Sequence, residues 1–165
     1  MLIREATPDD WPGIWPFMRQ IVTAGETYAW DPGISEERAR STWFRWRDDP
    51  RGCTLVAVDA DGTVLGTAET GPNYGGHGAH VAGASFMVDP ARSGRGVGRA
   101  LGERVLRRNA EAGFRAMVFN AVVETNTGAV ALWRSLGFEV LATIPGAFRH
   151  PVRGYVGLHV MYRPL

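Results

Sequence analysis

The sequence predicts an α/β fold of α+β character, in which a central mixed sheet carries helices on both faces. Three observations predict it. Apolar spacing switches repeatedly between a period of two and a helical period. A tight hairpin falls in the first half, and beyond it strands and helices alternate. No repeat, linker or low-complexity tract interrupts the 165 residues, 45% of them hydrophobic and 21% charged, so a single domain over 1–165 is expected.

Residues 2–5 alternate like a short strand. Thr7-Pro8-Asp9-Asp10 then supplies an N-cap, a proline at the first helical position and acids in the first turn. Ile14, Phe17, Met18, Ile21 and Val22 recur at helical spacing, with Pro12 and Pro16 expected to shorten or kink the helix. Ser35-Glu36-Glu37 opens a second helix with Ala39, Trp43 and Phe44 on one side. Residues 55–58 and 64–68 flank Asp61-Gly62 and read as an antiparallel hairpin. Turn formers make 71–78 a loop, and 79–88 has strand character. Asp89-Pro90 breaks that strand, 93–98 is glycine-rich, and 99–111 is helical up to Gly113, with Val97, Leu101, Val105 and Leu106 inward. A buried-type strand at 117–123, a helix at 126–136 closed by Gly137 and a strand at 138–143 follow. A proline- and glycine-bearing loop to Gly154 leads to a last strand at 156–162.

Eighteen basic against seventeen acidic side chains leave a formal charge of +1, so nothing in the balance calls for nucleic acid or a membrane as partner. Cys53 is the only cysteine and lacks the neighbours of a zinc site; His77, His80, His150 and His159 have no metal-ligand spacing, so no metal is expected. The N-terminus lacks a secretory layout and no stretch is apolar enough to cross a bilayer, so a cytoplasmic setting is expected.

Ser93-Gly94-Arg95-Gly96-Val97-Gly98 follows a strand and opens a helix. Backbone N–H groups converge there at the positive end of a helix dipole with few β-carbons in the way, which suits a phosphate. Arg92, Arg95 and Arg99 add charge. The turn is not a dinucleotide fingerprint: counting from Gly94 puts Arg99 at the third glycine, and counting from Gly96 puts Leu101 there. The G-K-[ST] of a P-loop is also absent.

Arg92 to Leu101, after the strand ending Met87-Val88, resembles the acetyl-CoA motif of the GCN5-related N-acetyltransferase (GNAT) superfamily, with Ser93 where a Gln or Arg is usual. Asn126-Thr127-Gly128-Ala129-Val130-Ala131-Leu132-Trp133-Arg134-Ser135-Leu136-Gly137-Phe138 resembles the second signature, with Trp133 in place of its tyrosine. Short segments around Asn73, Ser85, Asn120 and Asn126 are further similar to enzymes that acetylate azetidine-2-carboxylate and other proline analogues.

The resemblance implies the GNAT acyl-CoA N-acyltransferase fold, acetyl-CoA as cosubstrate, and direct attack by the amine of a small molecule or amino acid. It places the cofactor on Phe86, Met87, Val88, Ser93, Gly94, Arg95, Gly96, Val97, Gly98, Arg99, Asn126 and Trp133. The glutamate many relatives carry on the strand before the turn is missing, leaving Glu26, Glu69, Glu124 and His80 as bases to weigh, with Glu26 and Glu124 taken beside Asn126 as the catalytic set. Trp133 has no hydroxyl for the leaving thiolate; Asn126 could bond the sulfur, and Tyr74, Tyr155 and Tyr162 are other donors. Asn73 and Asn120, with Tyr28 and Trp30 in a roof that Trp43 and Trp46 extend, are expected to hold the acceptor. Asn120 could equally bond a neighbouring loop, and the tryptophans could serve core packing or a homodimer contact. A protein N-acetyltransferase and a non-catalytic acyl-CoA sensor are the alternative functions.

Overall fold

The computed structural model describes residues 1–46 and 49–165. Its strands are β1 (Leu2–Glu5), β2 (Cys53–Val58), β3 (Val64–Pro72), β4 (Val81–Val88), β5 (Ala116–Val123), β6 (Glu139–His150) and β7 (Gly154–Pro164). Its helices are α1 (Trp11–Ala24), α2 (Glu36–Trp43), α3 (Val97–Glu111) and α4 (Thr127–Ser135). The strands form one sheet in the order β1-β2-β3-β4-β5-β7-β6, in which β4 and β5 are parallel and every other neighbouring pair is antiparallel.

Val97, Leu101 and Val105 of α3 and Trp133 and Leu136 at α4 pack with Leu55, Ala57, Met117 and Phe119 on one face. Ile14, Met18 and Val22 of α1 and Ala39 and Trp43 of α2 pack with Val56, Val58 and Met87 on the other. Residues of β2 therefore alternate between two covered faces, and all six are buried.

Local signals set the helix starts. Ser35 accepts a hydrogen bond from the Arg38 amide at 3.3 Å and caps α2. A single 3-10 turn, Pro8–Asp10, precedes α1. Asp10 accepts from the Thr7 amide at 2.7 Å and takes two bonds from the Arg4 guanidinium, at 2.8 and 2.7 Å. The bond from Arg4 holds the Asp10 carboxyl below its ordinary value against the opposing effect of burial. A depressed carboxylate contributes stability above its unfolded pKa and loses it as pH falls through the folded one. Acid titration of the melting temperature should therefore fall less steeply below pH ~4 in Asp10→Asn than in the parent, while at neutral pH the variant loses about 1–2 kcal/mol.

Three expectations are corrected. Pro16 does not shorten α1, which runs 14 residues to a left-handed Gly25 at φ 65°. The proline removes only one bond early in the helix, while Ile14, Phe17, Met18 and Val22 bury the same face on both sides of it. The loop expected up to Gly154 is largely strand: β6 extends to His150 and β7 begins at Gly154. Here β6 is an edge strand, and Pro145 and Gly146 fall in a register shift where Ile144 faces Leu158 and Phe148 faces Val156, which accommodates a missing N–H. At the glycine-rich turn, α3 starts at Val97, two residues earlier than expected. Among the described residues, no helix is long and apolar enough to cross a membrane.

Candidate active site

The parallel pair β4–β5 is bonded only at Val81–Ala116, Ala82–Met117 and Gly83–Val118, and beyond these positions the strands part. Antiparallel pairing with β3 fixes what β4 shows to the gap. Asn73 bonds Val81 and Asp89 bonds Leu65, so by alternation the odd-numbered amides of β4 face β3 and those of Ala84, Phe86 and Val88 face the opening. On the other wall, β5 carries one extra residue between Phe119 and Val122, a bulge at Asn120 and Ala121.

Below the gap on the α3–α4 side lies the glycine turn. Gly94 and Gly96 have φ of 77° and 78°, where an L side chain is strained, and a β-carbon at either would meet nothing within 4 Å. The first bonded amide of α3 is Ala100, to the Gly96 carbonyl, so the N–H groups of Val97, Gly98 and Arg99 are left for another acceptor. Arg95 lies 3.5 Å from Asp59, and Arg99 donates to Ser135 at 2.8 Å, tying α3 to α4.

A cavity of about 530 Å³ runs through the gap from Asn126, Ala129 and Trp133 on this side to the α1–α2 side. Trp133 packs at ring-centroid distances of 4.7 Å on Phe86 and 4.8 Å on Phe119 and lines the floor of the wedge. On the α1–α2 side, Gly71 and Gly83 form a flat stretch between two polar ends. At one end Asn73 and Asn120 exchange side-chain bonds of 3.2 and 2.7 Å, bridging β3 to β5 across β4. A β-carbon at Gly83 would lie 2.7 Å from Asn73 Oδ1, so glycine makes room for the bridge.

At the other end is Glu69, only 3% exposed. Its carboxylate accepts from Ser85 Oγ at 2.8 Å, from Arg45 at 3.0 Å and from the Trp46 indole N–H. Trp46 stacks over Gly71, where a β-carbon would fall 2.5 Å from the ring. Tyr28 reaches in from the segment after α1 and donates its hydroxyl to the Phe86 carbonyl at 2.7 Å. Burial, and secondarily the Glu69 charge, push the Tyr28 hydroxyl well up, so it keeps its proton at neutral pH. Gly71→Ala should expel the Trp46 ring from this roof. The expected result is loss of about 1–3 kcal/mol of stability, read by denaturant melts, with blue-to-red movement of Trp fluorescence as the ring meets water.

The sequence-derived residues are therefore brought together in part. Phe86, Asn126 and Trp133 line the cavity on one side, and Asn73, Asn120, Tyr28 and Trp30 on the other. Asn126 also caps α4, accepting from the Ala129 amide at 3.2 Å. Met87 is a correction: its amide faces β3, and its side chain lies in the α1–α2 core. Val97 offers only its backbone, because its side chain is buried among α3 contacts. Ser93 Oγ donates to the Pro90 carbonyl at 3.0 Å. Glu124 accepts from the Gly157 amide and holds the β5–β7 register, outside the cavity. Glu26 is exposed and lines, with Thr125 and His150, a surface groove that meets the cavity at Thr27 and Asn126. Tyr74 and Tyr155 are exposed, and Trp43 is core rather than roof, donating to Thr67 Oγ1 at 2.9 Å. Ser85 and Arg45 were not legible as site residues; a lone Glu69 within a strand buried from Leu65 to Gly71 was the available signal.

Fold and site together define an acyl-CoA-type wedge: a sheet split between two parallel strands above a turn of unpaired amides. Residues 15–138 match the Acetyltransferase (GNAT) family, and the chain belongs to it. A GCN5-related N-acetyltransferase from Kribbella flavida superposes with a TM-score of 0.96 at 60% identity, covering 99% of this chain and 97% of that one. The Salmonella typhimurium yncA protein, solved with its cofactor acetyl-CoA, gives a TM-score of 0.88 at 27% identity, covering 100% and 94%. The L-methionine sulfoximine/L-methionine sulfone acetyltransferase of Pseudomonas aeruginosa is 32% identical over 145 residues, 87% of this chain and 83% of its own.

Proposed function

We propose that the protein is an N-acetyltransferase that moves an acetyl group from acetyl-CoA to the amine of a small molecule or amino acid by direct attack in a ternary complex. The observation that carries this reading is a cavity through the split sheet that opens to a roofed polar pocket, together with the unpaired amides of the turn that begins α3. The residues fit the cosubstrate. Amides 94–99 and the gap-facing edge of β4 present donors, and no β-carbon of Gly94 or Gly96 obstructs them. When bound, acetyl-CoA supplies an electrophilic thioester carbonyl. The N–H groups of Phe86 and Val88 are the donors aimed at the gap where negative charge on its oxygen would develop.

Overall, an ammonium and the thioester give an amide, a thiol and one proton. An amine of pKa about 10 must shed that proton before attack, whereas a thiol of pKa about 8.5 leaves without a strong acid. Cys53 offers no acyl-enzyme route: it is buried away from the cavity, and burial pushes its thiol up to about 11. A small acceptor is favoured because Trp30, Arg45 and Trp46 roof the pocket. The Asn73–Asn120 bridge suits a carboxylate, since each amide keeps a further N–H to donate, and this agrees with a cyclic or linear amino acid as acceptor.

Thermal melting with acetyl-CoA tests the cofactor, because a ligand at one hundred times its Kd stabilises by about 2.7 kcal/mol. No upward shift at millimolar acetyl-CoA overturns the assignment. Thiol release across a panel of amino acids, amines and N-terminal peptides then identifies the acceptor class; turnover confined to peptides would replace the small-molecule reading.

A further inference from the structure

Resting on that reading, the structure points to an amine seat at the inner end of the pocket, formed by the Ser85 and Tyr28 hydroxyl oxygens. We infer that these two oxygens, their hydrogens held by Glu69 and by the Phe86 carbonyl, receive the N–H groups of the acceptor amine and direct its lone pair toward the gap.

The argument is one of hydrogen inventory. A hydroxyl carries one hydrogen and two lone pairs. An ionised carboxylate and a backbone carbonyl carry no hydrogen to give, so in the 2.8 Å pair the proton must come from Ser85, and in the 2.7 Å pair from Tyr28. Both hydrogens are thus committed, and toward the cavity each oxygen can only accept. Ser85 and Phe86 are consecutive on β4 and line the same cavity, so the Ser85 hydroxyl and the Tyr28 hydroxyl held on the Phe86 carbonyl both border it close to the gap-facing edge of Phe86. An ammonium or amine can satisfy them; a carboxylate would meet lone pairs. The opposite end differs, since Asn73 and Asn120 can still donate. The pocket is therefore polarised along its length, which orients an amino acid with its nitrogen toward Ser85.

Glu69 acts through Ser85 and is a positioning residue. It fixes the direction of the Ser85 hydrogen while Arg45 and the Trp46 indole take two of its other three lone-pair sites. Ser85 and Arg45 donate to the same oxygen, Oε1, so Glu69→Ala removes the acceptor and frees the Ser85 hydrogen to turn outward, converting an acceptor into a donor.

The test uses two thioethers of coenzyme A, S-(2-aminoethyl)-coenzyme A and its isostere S-propyl-coenzyme A, titrated calorimetrically into the intact protein. The wild type is expected to bind the aminoethyl compound at least about tenfold more tightly, with the preference collapsing below about threefold in Ser85→Ala and in Glu69→Ala. Binding of S-propyl-coenzyme A should stay unchanged in Ser85→Ala, which shows that the variant is folded. Equal affinity for both compounds in the wild type overturns the seat, as does a preference that survives Ser85→Ala. A preference lost only in Glu69→Ala overturns it too, because the carboxylate would then be acting directly. If neither thioether binds, the cofactor reading fails, and the seat with it.

Discussion

Gly94→Asp is expected to abolish the stabilisation of the protein by acetyl-CoA while leaving its own fold intact. A side chain at this position meets nothing within 4 Å, and aspartate tolerates the left-handed backbone at φ 77° better than most residues. Its charge would stand among the amides proposed to receive the diphosphate. A like charge about 5 Å away at an effective dielectric constant of 20 costs about 3 kcal/mol, or two orders of magnitude in Kd. Melting scans with and without the cosubstrate read both halves of the prediction. An unchanged ligand-induced shift would mean that the diphosphate lies elsewhere.

Asn120→Ala should act on the other side of the sheet. Removing this amide leaves Asn73 without its bridge and an acceptor carboxylate without one donor, so kcat/KM for the acceptor should fall about 10–100-fold. The shift in melting temperature with acetyl-CoA should be retained, because Phe86, Val88 and the turn lie across the gap. Loss of cosubstrate affinity instead would place Asn120 in the wrong half of the site.

Most positions of the strands and helices before Gly137 were legible because they rest on neighbours in sequence. Ser35 caps the helix that begins at the next residue, Gly62 takes φ 86° in its own hairpin turn, and Gly137 takes 86° where α4 ends. The failure at 144–153 has the opposite cause. Pro145 and Gly146 carry a strong local turn signal, yet β7 pairs on both sides of them, at Ile144 and Phe148, and the irregularity between these pairs at a sheet edge accommodates the missing N–H. For the site, the glycine turn could be read directly, whereas the assignments of Glu26 and Glu124 could not anticipate that one would lie in a surface groove and the other on Gly157.

What the sequence determined by itself is the glycine turn that opens α3 and the family, since both depend on backbone conformations and spacings written in runs of consecutive residues. What only the tertiary structure decided is the polar pocket proposed for the acceptor. Glu69 meets Trp46 from 23 positions away and Asn73 meets Asn120 from 47, and the polarity of Ser85 depends on which of its neighbours happens to lack a hydrogen. Such contacts follow from strand order and register, which are settled by the burial of whole faces and leave no mark on any short stretch of chain.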